Sequence, residues 1–397
     1  MLNFTLKKTD LILLSITSIY GISFSINSYA QNKNNILTKP DRLLEIGEEQ
    51  IDSNEDNIAE QISVMFQEIV KKGYASRPGD ARPARRDAHA KHHGCAIGKF
   101  IVENKLPIEF QKGVFATPKE YKAFIRFSNG SFDLKADKIP DAHGMAIKLL
   151  GVNANLLKET ESNGENNTQD FIMIDNPVFF MRTAESYISL FMAQSKGPEA
   201  LKEWMKDHPY EAKLAFETLN KINPSPISAQ YWSQTPYKLG ENSAFKFTVK
   251  PCKNQTFITI PENKRGPDYL KETLAKHLKK KNACYEFFII PQKDSMAMPI
   301  EDSTIEWTTT WNGKNNIFKV ATLILPKEQQ PDSDKSIKFC EDLSFTPWHG
   351  TEEMRPLGGV NRVRKTVYLE TSNLRHSLNN AKQALPTEEI WNSFLLK

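Results

Sequence analysis

The stretch 360-VNRVRKTVYLETSNLRHSLNNAK-382 sets Arg364, Tyr368, Thr371 and Arg375 at steps of four, three and four residues. In an α-helix such positions share one face, so two arginines flank one tyrosine on a single stripe. Two readings are open. In one, the stripe is the inner side of an amphipathic helix, with a core tyrosine and arginines that meet nearby carboxylates. In the other, the tyrosine is a metal ligand. A phenol with a pKa of about 10 binds iron only where something stabilises its anion, and a guanidinium one turn away is suited to that.

Far upstream, 86-RDAHAKHHGCAIGKF-100 gathers His89, His92 and His93 in a chain that has eight histidines. A metal site, a general acid/base, and ordinary histidines at the start of a strand all fit this pattern. From Gly94 to Asp175 the sequence runs in short apolar segments, 95-CAIGKFIV-102, 122-KAFIRFS-128, 143-HGMAIKLLGV-152 and 170-DFIMID-175, with a hairpin-type break at Asn129-Gly130. Residues 184–222 switch to helical periodicity. Further strands are predicted at 244–251, 284–291 and 317–326, with 305-IEWTTTW-311 as another candidate, and a helix over 268–280 with Asp268 as its N-cap. About eight strands at this spacing predict a closed antiparallel barrel with inserted and C-terminal helices, an α+β fold, rather than a βαβ sheet. A helix carrying Ile58, Ile62, Phe66 and Ile69 precedes the barrel and ends at Gly73. A last one, capped by Thr387, carries Trp391 and Phe394.

The ends and the charge narrow the setting. Lys7 and Lys8 precede an apolar run from Leu11 to Phe24, and Ser28-Tyr29-Ala30 supplies small residues for cleavage. Residues 1–30 thus read as a secretory signal, with no membrane span left after cleavage, because the run is shorter than the ~20 residues a span needs. The expected setting is secreted and periplasmic. Residues 31–57 read as a polar, mobile leader, and 58–397 as one domain. The 52 basic and 48 acidic residues of the full chain are well mixed, with no basic stripe of the kind nucleic acid requires. Lys276 to Lys281 reads as a solvated helix end. Four cysteines without a C-x-x-C pair exclude the common zinc and redox motifs, and Cys252 with Cys284, at the ends of two predicted strands, is the expected disulfide.

Taken together, the two ends of the chain carry a resemblance. Arg364-x-x-x-Tyr368-x-x-Thr371-x-x-x-Arg375 resembles the haem-ligand helix of the haem catalases, and 86-RDAHAK-91 resembles the segment bearing their distal histidine. The pair 124-FIRFSNG-130 and 141-DAHGMAIK-148, and then 170-DFIMIDNPVFF-180, agree in the right order. The wording 348-WHGTEEMRPLGGVNRVR-364 is closest to the small catalase-related peroxidases. The matched segments run from Arg86 to Arg375, with no recognised motif over 183–340.

The resemblance implies a haem b cofactor held in a domain whose barrel covers roughly residues 86–330 and whose ligand helix covers roughly 360–382. Tyr368 would be the axial ligand of the iron, as tyrosine is in catalases generally, and Arg364 its charge partner. His89 would move a proton between the two peroxide oxygens, its pKa near working pH, with Ser128 orienting it. Arg86, Arg126 and Arg375 would hold the propionates. Phe115, Phe127 and Phe180 are candidates to wall the porphyrin, with core packing as an equal alternative, and His92 and His93 would be structural. Asp175 stands where catalases carry an asparagine that hydrogen-bonds peroxide, and an ionised carboxylate only accepts; Asn176 is the substitute if the loop shifts by one. His143 replaces an arginine.

The implied activity is a peroxidase reducing hydrogen peroxide or organic hydroperoxides through a ferryl intermediate at the expense of an organic donor. True catalase activity is the alternative, followed by a non-catalytic haem protein or a hydroperoxide isomerase. Relatives are commonly oligomeric, and the leader would be available as an arm.

Overall fold

The structure is a computed structural model that describes residues 42–162 and 164–395. The expected signal, 1–30, and residues 31–41 of the leader lie outside the described residues.

In chain order the main elements are helix α1 (Glu55–Ala75), strands β1 (His92–Val102), β2 (Glu120–Asn129) and β3 (His143–Leu150), a short helix α2 (Lys158–Ser162), β4 (Thr168–Ile174), and helices α3 (Ala184–Lys196), α4 (Pro198–Asp207) and α5 (Pro209–Leu219). There follow β5 (Tyr231–Trp232), β6 (Tyr237–Lys238), β7 (Ala244–Pro251), α6 (Tyr269–Lys280), β8 (Ala283–Pro291), β9 (Thr310–Trp311), β10 (Lys314–Asn315) and β11 (Phe318–Leu325). The chain ends with α7 (Asp334–Asp342), α8 (Gly359–Leu378) and α9 (Glu388–Asn392).

The sheet order is β5-β4-β3-β2-β1-β11-β8-β7, and a second pairing, Tyr231 with Val249, joins β5 to β7 and closes an antiparallel barrel of eight strands. β6 is added outside that circuit along β7. The expected barrel is therefore found, with one strand exchanged. Residues 305–311 give only β9, which pairs with β10 in a separate hairpin across Asn312-Gly313. The eighth barrel strand is β5, whose two residues are too few for any periodicity to mark.

Period-two alternation divides each strand between two environments. Ala123, Ile125 and Phe127 of β2, Met145, Ile147 and Leu149 of β3, and Phe171 and Met173 of β4 join one buried core inside the barrel. Phe100, Phe115, Phe171 and Phe287 pack at its centre, with the rings of Phe171 and Phe287 4.8 Å apart. The other face of the same strands carries Arg126, Ser128, Gly144, Ala146, Ile172 and Ile174 toward a cleft that α8 covers. Ile58, Ala59 and Ile62 of α1 pack against Val363 and Val367 to hold α8 there.

Residues 42–54, read as part of a mobile leader, are fixed to this body. Glu49 pairs with Arg355 at 2.6 Å, and its carboxylate accepts from the N–H of Gly358 at 2.8 Å, just before α8 starts. Arg362 ties the same place to Glu55 and Glu301. Three carboxylates, Glu49, Glu55 and Glu301, converge where α8 opens without a side-chain cap at Gly358.

Both disulfides are intrachain. Cys252–Cys284 is the expected one, and Cys95–Cys340, 245 residues apart in sequence, fastens α7 to β1. Asp268 sits at the N-cap of α6 but makes no capping hydrogen bond, since Lys91 draws its carboxylate to 2.8 Å. Thr387 does cap α9, accepting from the N–H of Ile390.

Candidate active site

The cleft between the outer barrel face and α8 has two adjoining parts, a smaller and a larger one. His89 and Tyr368 line both.

His89 lies on a turn ahead of β1 in the left-handed backbone region, at φ 59°, which a non-glycine residue adopts only under local constraint. Its N–H donates to Gly130 O at 2.9 Å, and the N–H of Ala90 donates to Ser131 O, so the turn is tied to the loop leaving β2. The ring nitrogen Nδ1 is 2.9 Å from Asn129 O and 3.1 Å from Ser128 Oγ. A carbonyl only accepts, so the proton belongs on Nδ1 and the lone pair of Nε2 is left for chemistry. Gly144 lies flat against the ring, where a Cβ would come within 2.5 Å of Nδ1. Burial, helped by the charge of Arg126, pushes the imidazole down to about 4, well below the near-neutral value expected from sequence, and it is therefore an unprotonated base across the physiological range.

On the opposite side, Arg364 Nη2 donates to Tyr368 Oη at 2.9 Å, with the guanidinium 5.0 Å from the centre of the ring. Asn361 Oδ1, accepting at 3.0 Å, fixes the other arm of the fork. The i, i+4 relation anticipated in the sequence is thus a hydrogen bond to the phenolic oxygen, which is what a bound phenolate needs.

Arg86, Arg126 and Arg375 close one end of the smaller part around a single carboxylate, Glu341. Arg86 and Arg126 approach its Oε1 at 3.0 and 2.9 Å, and Arg375 donates to its main-chain oxygen. Although burial works against its charge, Arg86 and Arg126 hold the Glu341 carboxyl well below the usual range. One carboxylate does not balance three guanidiniums. Arg126 is pushed down to about 10 and Arg375 to about 9, by burial and then by the like charge of Arg86. Arg86 Nη1, in ion-pair range but poorly aligned, and Arg126 Nε are buried without a hydrogen-bond partner. Such donors suit a guest bearing carboxylates at one end, a flat apolar body between Tyr368 and His89, and a metal at its centre. Haem has that chemistry, and the residues fit it. Asp87, whose carboxyl burial raises to about 6, also faces the cleft.

Two expectations are corrected here. Asp175 does not line the cleft. It turns to His143, accepting from its backbone N–H at 2.8 Å and meeting Nδ1 at 2.7 Å, while Asn223 adds a further hydrogen bond at 2.8 Å. Asn176 does not replace it, because its side chain is used by Val178 O and Lys221. The position that does face the cleft is Ile174, which follows Ile172 on the outer side of β4 by strand alternation. Phe115 and Phe127 are also not cleft residues, for both belong to the barrel interior. Phe180 does line the larger part, stacked on Phe179 at 5.7 Å.

The histidine run splits by role. His92 lies 3.5 Å from Glu341, and His93 Nε2 is 2.8 Å from Asn129 Oδ1. Among the described residues no three His, Cys, Asp or Glu side chains converge as a metal site. Sequence reasoning missed Gly144, Asp87, Ile174 and Glu341. Of these only Ile174 carried a signal, the alternation of 170-DFIMI-174.

No protein-family model and no curated protein matches the sequence. Solved structures do match the fold. A fungal catalase aligns with TM-score 0.55 and 15% identity over 90% of this chain and 71% of its own. Catalase A of Saccharomyces cerevisiae gives 0.57 and 16% over 90% and 74%, and a bacterial catalase 0.57 and 14% over 94% and 72%. The chain has the catalase fold.

Proposed function

We propose that this protein is a haem-dependent peroxidase of the catalase-related type, secreted to the periplasm, which reduces hydrogen peroxide or organic hydroperoxides with electrons from an organic donor. The observation that carries the reading is the facing pair, a tyrosine oxygen hydrogen-bonded by Arg364 on one side of the cleft and a histidine with a free Nε2 on the other. The fold shared with catalases supports it. Tyr368 would hold the haem iron, Arg86, Arg126 and Arg375 the propionates, and Phe180 part of the wall. Bound haem would supply the redox-active iron at which peroxide is reduced.

The chain's own part is positional and protonic. Nε2 of His89 accepts the proton of one peroxide oxygen and returns it to the departing one, while Asn129 O and Ser128 hold the ring in place. Rapid disproportionation would profit from a neutral hydrogen-bond donor beside the histidine. Ile172 and Ile174 occupy the β4 wall instead, and this favours the peroxidase reading over true catalase.

The test is an absorption spectrum of Tyr368→Phe purified with haem supplied. The expected result is loss of the ferric high-spin band that the wild type shows; an unchanged spectrum would remove Tyr368 as ligand. A second expectation concerns Gly144→Ala, in which the added methyl displaces the imidazole. The rate of reaction with peroxide, followed by stopped flow, should fall about 100-fold while the ferric spectrum persists. A wild-type rate would mean that the ring position is not critical.

A further inference from the structure

The three guanidiniums at the end of the smaller part of the cleft are all anchored on one short segment, residues 340–343 at the end of α7. Arg86 donates through Nη2 to Cys340 O at 3.0 Å and to Leu343 O at 2.9 Å, and it shares Glu341 Oε1 with Arg126. Arg375 donates to Glu341 O. Buried like charges repel one another, so the three keep their directions only while this segment stays in place. The buried donors left over for a guest, Arg86 Nη1 and Arg126 Nε, are aimed by the same contacts.

A covalent bond fixes the segment to the barrel. Cys340 opens it and is joined to Cys95 of β1, and both residues are fully buried. Cys95 is in turn the direct cross-strand partner of Arg126, on the same face of the sheet. The bond therefore ties the strand position beside Arg126 to the carbonyls and the carboxylate that orient all three arginines. Asp342 has further ties, to Arg82, His376 and Ala384, but these come from the chain ahead of β1 and from α8 and beyond. None of them is on a barrel strand. Cys252–Cys284 offers the contrast, for it joins the ends of β7 and β8, which already pair, and neither of its cysteines lines the cleft.

We infer that the Cys95–Cys340 disulfide is the positioning element of the arginine end, so that the chain grips the carboxylates of its cofactor fully only once this bond has formed. Such bonds form in oxidising compartments and not in a reducing cytosol. Capture of the cofactor is thereby tied to export. The inference rests on the haem and export readings above and adds the condition under which the site becomes competent.

The experiment uses the full oxidised protein and two probes followed by absorption titration: haem, and haem dimethyl ester, which keeps the iron and the flat body but has no free carboxylate. In Cys95→Ala/Cys340→Ala the affinity for haem should fall about tenfold or more, the worth of one charged hydrogen bond, while that for the ester changes less than about twofold. Cys252→Ala/Cys284→Ala should leave both affinities at the wild-type values. Cys95→Val/Cys340→Ala, which keeps more of the buried volume, carries the test if the first double variant does not fold. A disulfide that merely stabilised the fold would weaken haem and ester alike, so equal losses would overturn the inference, as would wild-type haem affinity in the variant. Binding of neither probe by the wild type would overturn it together with the haem reading, whereas the other two results leave that reading standing.

Discussion

Replacing His89 with alanine is expected to lower the rate of reaction with hydrogen peroxide by about 10²- to 10⁴-fold, the usual contribution of a positioned acid/base group, without loss of the ferric spectrum. The spectrum should survive because His89 is on the other side of the cleft from Tyr368 and Arg364. The pH dependence is the sharper part of the test. Catalysis needs Nε2 unprotonated, and burial with Arg126 holds the imidazole at about 4. The wild-type rate constant should therefore be level from pH 8 down to about 5 and decline only as pH falls through about 4. A break near the ordinary histidine value of about 6.5 would mean that His89 is solvated in the working protein. A wild-type rate in His89→Ala would remove it from the mechanism.

The second large effect concerns stability. Lys148 projects from the outer face of β3 into a completely buried group of ionisable side chains. Its ammonium pairs with Glu165 and Asp170, at 2.8 Å for the latter, and donates to His349 Nδ1 at 3.0 Å. Lys148, Glu165 and Asp170 all have side-chain exposures of 0%. Burial alone would lower the lysine pKa, but Asp170 and Glu165 outweigh it and the net shift is upward, so the group is charged. Lys148→Met removes the ammonium of this cluster and leaves two carboxylates buried near each other. A loss of about 3–5 kcal/mol is expected, read as a lower urea midpoint at pH 7. Adding Asp170→Asn and Glu165→Gln to that variant should recover much of it. A midpoint within error of wild type would show that water reaches the cluster.

The sequence disclosed this molecule unevenly, for reasons that particular residues make plain. The stripe Arg364, Tyr368, Thr371, Arg375 was legible because helical spacing is a property of the chain alone, and the long strands were legible for the same reason. β5 was not, since two residues hold no period. The segment 305–311 misled because its tryptophans and threonines favour strands, whereas Asn312-Gly313 turns it into a small hairpin. Phe115 and Phe127 fit cleft wall and barrel core equally well in the sequence, because an aromatic residue announces burial without saying which side of a sheet buries it. Asp175 was misplaced because the resemblance sets it where catalases carry an asparagine, while strand alternation points to Ile174. The Cys95–Cys340 bond joins residues with no local pattern between them, and Glu341 became visible only once three arginines had been brought around it.

The closure of the barrel has a consequence for how the site is made and lost. β1 pairs with β11, so the hydrogen-bonded ring is complete by Leu325, before the chain reaches α7 and α8. The cleft is thus a seam between a closed shell and a helix that follows it in the chain, and its two walls meet through side chains rather than through the sheet. Detachment of α8 opens that seam along its whole length without breaking a strand pairing. A flat cofactor would in this way have a route in and out that leaves the shell standing, and emptying the site would be a separate event from unfolding the protein.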